Sequence, residues 1–81
     1  MITCIKIDNV MNKETATKKI KKLQKVTEGN YHNFEYLVCP IGGSFDIMLQ
    51  SDYEFDGETQ QEQEREMLEF FNFMLVDAYC K

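Results

Sequence analysis

The chain has 81 residues, 43% of them hydrophobic, with six Phe, four Tyr, a single Pro and four Gly, and carries a net charge of −5. This length excludes a second domain, and the composition excludes a disordered or collagen-like chain, so residues 1–81 are expected to form one modest domain. Cysteines at 4, 39 and 80, an odd number without a CxxC pair, match neither a disulfide framework nor a zinc site. Reduced thiols and a cytoplasmic location are the expectation, since MITCIKIDNV is too short and too broken by Lys6 and Asp8 for a signal peptide and no apolar run approaches membrane-spanning length.

The charge is unevenly distributed. Residues 1–40 hold seven Lys against four acids, a net of +3, whereas residues 41–81 hold Arg65 and Lys81 against ten acids, a net of −8. The acidic total weighs against nonspecific binding to nucleic acid by the whole molecule.

The first element, from Ile2 to about Asp8, reads as a strand with Ile5 and Ile7 on one side and Cys4 and Lys6 on the other. Asn12 is placed to cap a helix over 13–28, with Met11 positioned to staple onto Ala16 and Gly29-Asn30 supplying a left-handed stop. Ala16, Ile20, Leu23 and Thr27 form one face of this helix; Lys18, Lys21, Lys22 and Lys25 form the opposite face.

Period two takes over from Tyr31 to Phe55. In the second half, Phe45, Ile47, Leu49, Tyr53 and Phe55 are odd, while Asp46, Gln50, Asp52 and Glu54 are even, the pattern of a strand with one buried face. Gly42-Gly43 suits a two-residue hairpin turn, which pairs residues whose numbers add to 85: Val38 with Ile47, Tyr36 with Leu49, Phe34 with Ser51. A four-residue loop, Ile41 to Ser44, keeps the same register.

Thr59 and Glu62 stand at capping-box spacing, with Asp56 as a rival cap, before a helix running to about residue 80. Its first turns, QQEQERE, are polar. Met67, Leu68, Phe70, Phe71, Met74, Leu75, Ala78 and Tyr79 then fill about half the helix, leaving Phe73, Val76 and Cys80 on the other side among Glu69, Asn72 and Asp77. The fold expected is α+β, a split β-α-β-β-α with sheet order 1-3-2 and both helices on one face. It resembles a ferredoxin-like domain without its final strand, an architectural likeness that implies no function.

Neither catalysis nor cofactor binding is expected. His32 stands alone without Cys or carboxylates at ligand spacing, and Cys39-Pro40 lacks a helix N-terminus or partner base to activate the thiol. CPIGGS lacks the Gly and Lys spacing of a phosphate loop, and DGET is acidic. The remaining surfaces suggest a homodimeric, non-enzymatic macromolecule-binding protein, an inhibitor or regulator of a basic nuclease or nucleic-acid-binding partner, a profile shared with small acidic proteins of phages and mobile elements. Asp46, Asp52 and Glu54 on the outward sheet face, with Glu58, Glu62, Glu64 and Glu66, are the carboxylates expected to imitate phosphate charge. Phe73, Val76 and Cys80, with Met48 and Leu37 on the sheet, form the expected partner or homodimer interface. The alternative is a homodimeric nucleic-acid-binding regulator that uses Lys18, Lys21, Lys22 and Lys25.

Overall fold

The structure is a computed structural model that describes residues 2–28 and 32–79. Its elements are β1 (Thr3–Val10), α1 (Lys13–Thr27), β2 (Glu35–Ile41), β3 (Ser44–Ser51) and α2 (Gln60–Tyr79). The sheet order is β1-β3-β2, and β3 runs antiparallel to both neighbours, so β1 and β2 are parallel to each other. This is the expected split β-α-β-β-α arrangement.

Turn chemistry fixes the hairpin. Gly42 has φ +58°, a conformation that costs a side chain and suits glycine. From it follow the pairs Ile41 with Ser44, Val38 with Ile47, Tyr36 with Leu49 and Glu35 with Gln50, all in the expected register. Phe34, expected opposite Ser51, lies just before the first paired residue of β2. Ile47 and Leu49 are completely buried, each stabilising the fold by about 1.5–3 kcal/mol through the apolar surface withdrawn from water.

Both helices cover the same sheet face. Ala16 of α1 packs with Val10 and Ile47, while Met67 and Phe71 of α2 pack with Leu49 and Phe55. At the head of α1 the Asn12 side chain accepts hydrogen bonds from Thr15 N (2.8 Å) and Thr15 Oγ1 (2.9 Å). At its end the Thr27 and Tyr36 hydroxyls lie 3.1 Å apart and both reach the Leu23 carbonyl, tying α1 to β2. The expected stop at Gly29-Asn30 lies outside the described residues.

Three expectations are corrected. Met11 is 76% exposed and does not staple onto Ala16, whose single methyl is already enclosed by the sheet. β3 ends at Ser51 rather than continuing to Phe55. Thr3 is the last residue paired with it, Glu35 is the last on the other side, and the Ser51 hydroxyl turns the chain by accepting from Tyr53 N at 3.0 Å. Asp52 and Glu54 therefore belong to the connection to α2 and not to the outward sheet face. Leu68, 40% exposed, and Ala78, also exposed, fall outside the buried face although both belong to the expected core arc.

β1 is not a regular strand. Its register against β3 shifts between Lys6 and Asp8, so that Ile5 pairs with Leu49 and Asp8 pairs with Ile47, leaving Ile7 as the extra residue of a β-bulge. Beyond the bulge the alternation of faces is inverted, which is why Val10 is buried although Thr3 and Ile5 share the core face before it.

Gly57 sits where the connection meets α2. Its φ is +151°, and a Cβ there would lie 2.8 Å from the Glu62 Cβ and 2.9 Å from the Gln63 backbone nitrogen. Gly57→Ala is expected to destabilise the domain by about 2 kcal/mol through this clash and the imposed backbone strain, whereas Gly43→Ala, which meets no atom within 4 Å, is expected to cost well under half of that. Urea titration of the two variants measures the difference.

Candidate functional site

α2 carries two opposed faces because its sequence places carboxylates between apolar residues at two helical periods. Met67 and Phe71 point into the core, with Met74 and Leu75 partly buried beside them. On the far side, within an arc of about 100°, fall Glu62, Glu66, Glu69, Phe73, Val76 and Asp77. Phe73 is 69% exposed and Val76 61% exposed, as the sequence pattern requires. Arg65 is the only basic residue between Gln60 and Tyr79. Cys80, the third member expected in this stripe, lies outside the described residues.

The first turn of α2 is capped from both directions. Thr59 Oγ1 accepts from Glu62 N at 3.1 Å, and the Glu62 carboxylate reaches back to accept from Glu58 N at 2.9 Å. The return bond goes to Glu58 rather than to the capping residue, one position earlier than a standard capping box. Carboxylates here also complement the positive end of the helix dipole.

The other expected carboxylates separate. Asp46 lies at the hairpin end of the outward sheet face, accepting from Asn9 Nδ2 at 2.6 Å. Asp52 is roughly 20 Å away along β3 at the strand rise of an antiparallel sheet, and accepts from Asn33 Nδ2 at 3.3 Å. Asn33 itself adopts φ +57°, which asparagine tolerates better than most residues. Glu64 is half-buried on the core-facing side of α2, and its charge reaches Cys4. Glu54 and Glu66 line one cavity of about 170 Å³ together with Asp56, His32, Tyr53, Phe55 and Phe70.

His32 forms the floor of that cavity. Its ring centroid lies 4.0 Å from that of Phe70, 4.2 Å from Tyr53, 5.8 Å from Phe55 and 5.9 Å from Phe34, and only 5% of the residue is exposed. The Ser51 hydroxyl donates to the His32 carbonyl, anchoring the loop before β2 to the end of β3. In place of an ordinary turn or strand-edge histidine, the structure makes this turn residue a component of the aromatic core. Burial lowers its pKa below the usual 6.5, and the rim carboxylates Glu54, Asp56 and Glu66 do not reverse that direction.

Lys18, Lys21, Lys22 and Lys25 are all exposed, as expected, with Lys22 on the flank of α1 that borders Leu23, Phe71 and Leu75, while Lys19 turns toward the sheet and pairs with Asp8. That pair lowers the Asp8 pKa, chiefly through the hydrogen bond from Lys19, and being part-exposed it contributes no more than about 1 kcal/mol. On the outward sheet face lie Leu37, 41% exposed, and Met48, half-buried opposite it. The Cys4 thiol is pushed up, first by burial and then by the charges of Cys39 and Glu64, the reverse of what a nucleophilic cysteine needs. Among the described residues there is no group of three potential metal ligands, and no helix is long and apolar enough to cross a membrane.

Because the buried His32 is neutral, the unfolded chain binds the extra proton as pH falls below about 6.5, and folding stability must drop with it. The urea midpoint is expected to fall between pH 7 and pH 5, and the slope in that window to flatten in His32→Phe. Comparison of the chain with protein-family profiles, with curated proteins and with solved structures found no match.

Proposed function

We propose that this is a non-enzymatic binding protein that engages a basic macromolecular partner, a nuclease or nucleic-acid-binding protein, through the outer face of α2 and so inhibits or regulates it. The observation that carries this reading is the placement of exposed Phe73 and Val76 among Glu62, Glu66 and Glu69 on a helix with one basic residue. An apolar pair that excludes water at the centre of an interface, ringed by like charges, selects a partner surface with the opposite charge and an apolar anchor point. Glu54 and Asp56 extend the acidic rim beyond the start of the helix. Through its carboxylates the protein presents charge of the same sign as a phosphate backbone, which is the basis for competition with nucleic acid. An origin in a phage or mobile element remains an analogy to small acidic proteins of that kind.

A second copy of the chain is the competing occupant. An isologous antiparallel pairing of α2 centred on Phe73 sets Glu69 beside Asp77 of the other copy, and like charges in contact oppose it. The lysine face of α1 supports the other reading, nucleic-acid binding, but it lacks the arginine and interleaved aromatic residues used for base contact.

Surface plasmon resonance against purified basic nucleases, duplex DNA and RNA, together with solution mass, separates these readings. We expect saturable binding to a basic protein, weakened more than tenfold in Glu62→Gln/Glu66→Gln/Glu69→Gln and in Phe73→Asp, with association slowing as salt rises. Binding unaffected by either variant sinks the proposal. DNA or RNA affinity abolished by Lys18→Glu/Lys22→Glu moves the function to α1, and a concentration-independent dimeric mass lost in Phe73→Asp assigns the patch to a second copy.

A further inference from the structure

The bulge in β1 builds a second feature, on the opposite flank of α2 from the acidic stripe. Between α1, α2 and β1 lies a half-open groove of about 330 Å³, lined by Ile7, Leu23, Phe71 and Leu75, with Asp8, Lys19 and Lys22 at its rim. This volume falls at the lower end of the range for small-molecule sites, and the combination of an apolar bed with a few polar groups at one edge is typical of them. Leu68, two helical turns before Leu75 and on the same flank of α2, leaves a further apolar side chain 40% exposed there.

The charge at the rim is specific. The bulge puts Asp8 on the helix side of the sheet, where Lys19 engages it. Among the described residues no carboxylate pairs with Lys22, so the rim carries one uncompensated positive charge in a protein whose total is −5. Bulges recur beside binding sites because they re-aim side chains, and this one delivers both the apolar Ile7 and the ion pair to the same edge.

From this geometry we infer that the groove between α1 and α2 binds an amphiphilic monoanion, a single carboxylate head held by Lys22 and an unbranched apolar tail laid along Leu23, Phe71 and Leu75. The site is independent of the acidic face of α2. Lys22 supplies a charge-assisted hydrogen bond at the rim, and the tail withdraws apolar surface of both helices from solvent. A cationic head of the same tail length meets Lys19 and Lys22 and is rejected.

The test is a titration of the full chain, followed by amide NMR, with decanoate below its micelle-forming concentration, with decyltrimethylammonium and with acetate. Saturable shifts at Ile7, Leu23 and Leu75 are expected with decanoate, and none with acetate or the cation. Lys22→Gln is expected to weaken decanoate roughly tenfold, the loss of one charge-assisted contact, while Lys25→Gln, which changes the same charge on the solvent face, leaves it unchanged. Absence of saturable shifts with decanoate, equal binding of the cation, or equal loss in the two lysine variants overturns the inference.

Discussion

The pairing of β3 on both of its edges is the constraint on which the remaining structure depends. Its odd residues Ile47, Leu49 and the small Ser51 make the inner surface on which α1 and α2 are laid, and its register is set at one end by the positive φ of Gly42. A slip of one residue would turn Asp46, Met48 and Gln50 inward and expose the whole inner set. The core is thin but continuous, because Ile7 touches both the Ile47 cluster under α1 and the Leu49 cluster under α2.

Packing both helices on one face has a functional corollary. α2 is half committed to the core and half free, so its free side is rigidly displayed rather than held on a loop. This rigidity keeps Phe73 and Val76 in a fixed relation to Glu62, Glu66 and Glu69, and a preorganised surface loses less conformational entropy on binding. Carboxylates on the long connection before α2 are held as well, by the packing of His32 with Tyr53, Phe55 and Phe70 and by the close approach of Gly57 to Glu62.

The sequence made the hairpin register, the sheet order and the two faces of α2 legible, because each rests on a local period or a turn residue. The outward stripe of Phe73 and Val76 follows from helical spacing alone. The bulge at Ile7 was not legible. Nothing in TCIKIDNV marks one residue as extra; the inversion becomes apparent only from Val10, buried at a position that strict alternation from Ile5 assigns outward. The groove was hidden for the same reason, since it joins the bulge to two helices distant in sequence. The burial of His32 is not legible in the sequence because it comes from three segments at once: the loop that carries it, the connection after β3, and α2. The clustering of Tyr53, Phe55, Phe70 and Phe71 was the available signal, since so many aromatics in a short domain must share one interior.

Placing β3 in the centre leaves β1 and β2 as the outer strands of the sheet, each with a row of backbone groups open to pairing by another chain. β2 carries Pro40, which has no amide hydrogen to offer, and Glu35 at its start. β1 carries the irregularity at Ile7 and lies next to α2, so a straight incoming strand cannot follow its ladder. Both open margins of the sheet are thus resistant to strand addition. In a domain with apolar residues on its outward sheet face, such margins disfavour edge-to-edge polymerisation and leave side-chain surfaces as the easier route of association.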